Sequence, residues 1–228
     1  MGKSLFSFLW RWLIPNRCVF CSRMIPEKET LCPACSKQEK SYLLTACPKC
    51  GRSFSLCTCH ASPQGPDLIL YPFSYRKAPI SAALKRFKKF GYGTYARFFS
   101  LHMARLTRYY PQCEEAEVIC AIPVHASAFR EKDFNHAEIL AVHLACLLKK
   151  EYRPLLIKTR KTAPQKALTA AQRRKNLHNC FSVNGPVPSV VLLVDDITTT
   201  GSTLNEAVRT LKKNGAEKVY CITAASAI

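Results

Sequence analysis

Apolar residues along this chain gather in short blocks whose spacing changes from block to block. VICAIPV (118–124) and VVLLV (190–194) are unbroken apolar runs, the pattern of strands covered on both faces. LILYPFSY (68–75), RPLLIK (153–158) and KVYCITAA (218–225) read as further strands. Between them the period becomes helical. A lysine-faced helix over 80–90 stops at Gly91 and Gly93, a second runs over 95–110 until Pro111, and two more cover 135–150 and about 202–214. The segment 159–178 is polar, and no element is predicted for it. Strands alternating with helices predict an α/β domain, a parallel sheet with flanking crossover helices.

The first sixty residues lack this alternation. Cys18 and Cys21, Cys32 and Cys35, and Cys47 and Cys50 form three C-x-x-C pairs, followed by Cys57, Cys59 and His60. Two thiolates across a tight turn can share a tetrahedral zinc ion, and a second turn completes the site. Pro33 after Cys32 suits such a turn. These ligands suffice for one or two zinc ions, with His60 able to replace Cys59 as partner of Cys57. The sequence leaves open whether successive pairs associate or cross over. A closed thiolate site has no open position for catalysis, and a module this small depends on metal to fold. SPQGPD (62–67) reads as a boundary, which divides the chain into a zinc-ribbon-like module over 1–62 and an α/β domain over 67–228.

Composition changes this picture in two ways. Cysteines clustered in close pairs, with no cleavable export signal before them, predict a reducing, cytoplasmic setting. The apolar, aromatic segment SLFSFLWRWLIP (4–15) is too short to span a bilayer. It reads either as an amphipathic helix covering the core or as a peripheral anchor at the inner membrane surface. The formal charge is +19, with 34 Lys and Arg against 15 Asp and Glu. Nine of these cations fall between 68 and 113 and eight between 152 and 194, both stretches free of acids. That concentration favours an anionic partner: nucleic acid, a phosphorylated metabolite or an acidic membrane. Lys85, Arg86, Lys88 and Lys89 are candidate contacts. The aromatics among them, Phe87, Phe90, Tyr92, Tyr95 and Phe98, suit either base stacking or helix packing.

The run 190–194 leads straight into Asp195 and Asp196, then Thr198, Thr199, Thr200, Gly201, Ser202 and Thr203. Residues after a parallel strand face the ligand crevice. A turn opening a helix offers free N–H groups and a positive dipole end to a phosphate. Two carboxylates beside a phosphate cradle suit a sugar phosphate, whose vicinal hydroxyls they accept directly or through Mg2+. A capping turn needs one polar side chain; this turn supplies two acids and five hydroxyls.

That stretch resembles the phosphoribosyl-pyrophosphate loop of type I phosphoribosyltransferases, and the likeness extends along nearly the whole chain to the ComF family of bacterial competence proteins. AIPVHASAFREKDFNHAE resembles the family's pyrophosphate-side loop, which implies roles for Pro123, Val124, His125 and Arg130. RKTAPQKALTAAQRRKNL resembles its mobile loop, with Gln165, Arg173 and Asn176 at motif positions, and ALKRFKKFGYG its segment near the hood, with Lys88 at the usual lysine. The resemblance implies a phosphoribosyl pyrophosphate ligand with Mg2+, and attack at the ribose anomeric carbon if the chain is an enzyme. No residue is assigned as a catalytic base. Where the family commonly has R-G-F-N-Q, this chain has Lys132, Asp133, Phe134, Asn135 and His136; aspartate in place of glycine adds negative charge near the expected pyrophosphate. The family's link to DNA uptake implies handling of single-stranded DNA. The other function classes are transfer to an unknown acceptor and a zinc-dependent scaffold docking a helicase or inner-membrane uptake proteins.

Overall fold

The computed structural model describes residues 16–47, 50, 52, 54, 57–58, 65–90, 93–129, 134–162, 172 and 176–227. The apolar runs form the centre of the molecule. Strands β1 (Leu68–Leu70), β2 (Phe73–Ser74), β3 (Val118–Ala121), β4 (Glu151–Tyr152), β7 (Val190–Thr198) and β8 (Lys218–Ser226) make one sheet in the order β1-β8-β7-β3-β4, with β2 also on β8. Every pairing in it is parallel, as the alternating pattern implies. Residues 191–194 of β7 and 219–226 of β8 are all buried, which accounts for their continuous apolarity.

Helices α2 (Ala78–Phe90), α3 (Gly93–Thr107), α5 (His136–Leu148) and α6 (Ser202–Lys213) match the helical periods, and α4 (Ala126–Phe129) is one short turn. Asn135 caps α5 by accepting from the Ala137 N–H at 3.1 Å. Helices α3 and α5 pack together and against β8, β3 and β7, while α6 lies on β8 and the hairpin described next.

Three expectations need correction. The run 68–75 is not one strand: Pro72 has no N–H for a ladder, so pairing with β8 breaks between β1 and β2. The run 153–158 does not enter the sheet as a unit. The strand that enters is β4, just before the run, while β5 (Leu156–Lys158) leaves to pair antiparallel with β6 (Phe181–Val183), a strand the pattern missed because FSV is too short to show a period. Strand β7 continues past its apolar run to Thr198, because β8 goes on pairing with it as far as Thr198↔Ser226.

Before the sheet, Pro33 opens a helix, α1 (Pro33–Glu39), with Cys32 as its N-cap. The segment packs directly on the α/β domain. Phe20 stands edge-on to Phe98, and Phe54 edge-on to Tyr71. His102, only 4% exposed, meets Glu39 of α1 at 2.8 Å. Arg97 donates to the carbonyls of Glu27 and Glu29 at 2.9 and 2.6 Å. The helical segment expected over 4–15 lies outside the described residues. Among those described, no helix is long and apolar enough to cross a membrane.

Phe73 joins these layers. Fully buried, it stacks on Phe98 and meets Phe99 and His102 edge-on. Phe73→Ala is expected to lower unfolding free energy in urea by about 3–5 kcal/mol, the cost of truncating a buried aromatic.

Candidate functional site

Strand β7 keeps β8 as a neighbour beyond the point where it loses β3. Its pairing with β3 ends at Ala121↔Val194, and Ile122 donates its N–H to the Val194 carbonyl at 2.9 Å. Residues 195–198 therefore lie past the carboxyl end of β3 with one edge open. This is also where strand order reverses, since the chain leaves β3 for β4 on one side and returns as β7 on the other, the usual position of a ligand crevice. A cleft of about 430 Å³ opens there. Asp195, Asp196, Thr198, Thr199, Gly201, Ser202 and Thr203 line it, with Lys88 and Tyr75 from α2 and the chain just before it.

The turn is built for close approach. Gly201 adopts φ 74°, which non-glycine residues avoid, and directly precedes α6. The first N–H groups of a helix have no partner within it, and the first residues of α6, Ser202, Thr203 and Leu204, line the cleft. Thr200 and Ser202 hydroxyls meet at 2.9 Å. The Thr198 hydroxyl is buried, at 2% exposure for the residue, and has no hydrogen-bond partner.

The acids are unlike each other. Asp196 pairs with Lys88 Nζ at 2.8 Å, with 16% of the Asp196 side chain and 39% of the Lys88 side chain exposed. Burial alone would lower the lysine's pKa; the charge and hydrogen bond of Asp196 outweigh it and hold the pKa above the ordinary value. Asp195 accepts the Asp196 N–H at 2.8 Å. Burial, and then the neighbouring Asp196 charge, pushes its carboxyl up to about 7, against the pull of that hydrogen bond, Lys88 and Lys158. Oxygen donors of this kind suit Mg2+, and the Lys88 ammonium already compensates the charge of Asp196.

On the β3 side, Pro123, Val124 and His125 follow the strand and are partly exposed, but they are not among the residues lining the cleft. His125 Nδ1 accepts the Ser127 N–H at 3.2 Å and lies 2.9 Å from its hydroxyl. Asn135 donates to the Ile122 carbonyl at 2.9 Å, so one residue caps α5 and tethers the start of this loop. Arg130, Lys132, Asp133, Gln165 and Arg173 lie outside the described residues. Asn176 is described, and its carbonyl accepts from Arg160 at 2.9 Å.

The proposed basic cluster on α2 divides. Lys85 and Lys89 are exposed. Arg86 donates to the Val19 and Phe20 carbonyls, and Lys88 engages Asp196. Phe87, Tyr95 and Phe98 are buried at 0–2% exposure, so they pack and do not stack on bases. The Phe90 side chain and Tyr92 lie outside the described residues.

The cysteines form two groups. Sulfur atoms of Cys18, Cys21, Cys32 and Cys35 lie within 4.8 Å of one another, as do those of Cys47, Cys50 and Cys57. Successive pairs therefore associate. Corners of a tetrahedral thiolate site, about 2.3 Å from zinc, are about 3.8 Å apart; Cys21 and Cys32 sulfurs are 3.7 Å apart, as are those of Cys50 and Cys57. The residues fit zinc. The Cys35 N–H, in the first turn of α1, holds the Cys32 thiol down at about 7. Cys59 and His60 lie outside the described residues. Burial instead pushes Cys113 up to about 12 and Cys120 to about 11, marking them as packing residues.

Two family models match: a double zinc ribbon domain over residues 9–65 and a phosphoribosyl transferase domain over 134–227. Competence protein F of Haemophilus influenzae is 30% identical over 217 residues, covering 89% of this chain and 93% of that protein. The chain belongs to the ComF family. The DNA utilization protein YhgH of Escherichia coli K12 is also 30% identical, over 214 residues, covering 90% of this chain and 88% of that protein. The counterpart in Salmonella typhimurium is 27% identical over 213 residues. This family membership joins a zinc-ribbon module to a phosphoribosyltransferase fold in one chain, as the structure does.

Sequence reasoning missed Tyr75, which is a single tyrosine in an apolar run. It also missed His136, whose Nε2 meets the Lys88 carbonyl at 3.0 Å, and Glu206, which with Arg209 holds Asn179 below the hairpin. The capping role of Asn135 was readable, since it stands immediately before an apolar helix.

The Asp195 shift has a stability consequence. The folded carboxyl titrates near 7 against an ordinary 3.8, so the folded chain holds a proton that the unfolded chain releases, and stability falls as pH rises through that window. Asp195→Asn is expected to raise the melting temperature by about 4 °C at about pH 8 and much less at about pH 5. Equal gains at both pH values would contradict a buried, destabilised carboxylate.

Proposed function

We propose that the 198–203 turn and the acid pair bind phosphoribosyl pyrophosphate, or another ribose 5-phosphate ligand, with Mg2+, and that the protein handles incoming single-stranded DNA during natural transformation. The place of the turn carries the ligand reading: Thr198, Thr199, Gly201, Ser202 and Thr203, at the start of α6, line the same cleft as Asp195 and Asp196. A helix start attracts a phosphate through its free N–H groups and positive dipole end, and the acid pair beside it suits the sugar hydroxyls.

In this reading Thr198, Thr199, Thr200, Gly201, Ser202 and Thr203 surround the 5-phosphate, and Asp195 and Asp196 accept the ribose hydroxyls or hold the metal. Pro123, Val124, His125 and Arg130 serve the pyrophosphate, and Gln165, Arg173 and Asn176 belong to the loop that excludes water. Mg2+ supplies charge compensation for the pyrophosphate when bound. Zinc, one ion in Cys18, Cys21, Cys32 and Cys35 and a second in Cys47, Cys50 and Cys57 with Cys59 or His60, is structural. The DNA role is supported by relatives named for competence and DNA utilization, and by exposed Lys85 and Lys89 on a helix bordering the cleft. The same acid pair and turn also support transfer of the ribosyl group to an acceptor nucleophile.

Purified protein is expected to contain two zinc ions per chain by elemental analysis. Calorimetric titration with phosphoribosyl pyrophosphate and Mg2+ should give saturable heat, abolished by Asp195→Asn with Asp196→Asn; no heat at about 1 mM ligand, an affinity worth only about 4 kcal/mol, would remove the ligand reading. Single-stranded DNA affinity should fall steeply with salt and weaken with Lys85→Glu and Lys89→Glu. Salt-independent binding, or none, would remove the DNA reading.

A further inference from the structure

Arg86 looks on charge alone like a surface cation, but its guanidinium is engaged inside the molecule. Nη1 donates to the carbonyls of Val19 at 3.2 Å and Phe20 at 3.1 Å. These are the two residues enclosed by Cys18 and Cys21. Val19 is fully buried, and Phe20 stands edge-on to both Tyr42 and Phe98. The turn that carries two thiol ligands is thus seated in the wall of the α/β domain, and a charged donor from α2 satisfies its carbonyls.

The same helix serves the cleft two residues later. Positions 86 and 88 lie about 200° apart around a helix of 3.6 residues per turn, so α2 is held by the cysteine turn on one side and offers Lys88 to Asp196 on the other. His136 fixes the last turn by meeting the Lys88 carbonyl at 3.0 Å. The second cluster has a parallel link, since buried Tyr71 donates its hydroxyl to Cys47 Sγ at 3.4 Å, and Tyr75, four residues on, lines the cleft.

We propose that the Cys18–Cys21 turn is a positioning element for the ribose-phosphate cleft, acting through Arg86, so that metal occupancy of the first cysteine cluster sets the cleft's affinity for a phosphorylated ribose. The proposal rests on the ligand reading above. Its physical basis is that a module too small to fold on apolar burial holds its turns through the metal. Without it, the two carbonyls lose their fixed position, and Arg86 loses the anchor that orients α2. Arg86 touches no ligand; it is a positioning residue. Because coupling between two sites is reciprocal, a ligand in the cleft also raises the affinity for zinc by the same factor.

Full-length wild type, Arg86→Met and Arg86→Lys test this, each with its zinc content measured. Arg86→Met with zinc retained is expected to bind phosphoribosyl pyrophosphate and Mg2+ about tenfold more weakly by calorimetry, and Arg86→Lys to fall between it and wild type. Removing zinc with a chelator should weaken wild type by a similar factor and Arg86→Met by little more, because the two changes break one chain of contacts. Wild-type affinity in zinc-loaded Arg86→Met, or equal losses on chelation in both proteins, would overturn the coupling. Should Arg86→Met lose its zinc, Arg86→Lys carries the comparison. Hydrogen exchange supplies a readout that needs no ligand. Amides of 84–90 and 195–203 should exchange faster in Arg86→Met than in wild type, with those of β3 unchanged; equal rates at 84–90 would overturn the clamp even if the cleft proves to bind nothing.

Discussion

The site depends on β7 outlasting one of its two partners. Hydrogen bonding to β3 ends at Val194, whereas hydrogen bonding to β8 continues to Thr198. Continued pairing on one edge holds Asp195 and Asp196 in extended backbone, and loss of pairing on the other leaves space above β3. A strand that stopped at 194 would put the acids on a loop free to relieve their burial and mutual repulsion. Here the ladder forbids that relief, and Asp195 keeps a raised pKa. Strain of this electrostatic kind persists only where surrounding structure over-determines it.

The α2 helix shows how one element joins two modules. Its apolar positions Ile80, Ala83, Leu84 and Phe87 are fully buried, which sets its rotation. Once that rotation is set, Arg86 and Lys88 have no choice of direction: one meets the carbonyls of the cysteine turn and the other the acid pair. Two of the four neighbouring cations are thereby used inside the molecule, and Lys85 and Lys89 remain exposed. A basic run in sequence is thus a poor count of charge offered to a polyanion.

The cysteine module is no more independent than α2. A zinc ribbon buries little of its own, and this one borrows apolar surface from the domain beside it, with Phe20 against Phe98 and Phe54 against Tyr71. Polar links accompany the packing, from Thr94 to Asn16 at 2.8 Å and from His102 to Glu39. Burial holds the His102 pKa down against the opposing pull of Glu39.

Much of this was legible in the letters. Local chemistry announces itself wherever neighbours in sequence are neighbours in space: C-x-x-C pairs, an acid pair on a hydroxyl-rich turn, a glycine before a helix, apolar runs that only buried parallel strands explain. What the letters do not carry is relation between distant segments. That β5 turns away to pair with β6, that successive cysteine pairs share a site, that His136 meets Lys88 and that Arg86 faces the cysteine turn are contacts across 7 to 67 positions. Each depends on which faces remain free once the core has packed. Short-range pattern fixes a residue's element and its local chemistry, but only the packed sheet and helices decide its partner, because that decision minimises buried, unpaired polar groups over the whole molecule at once.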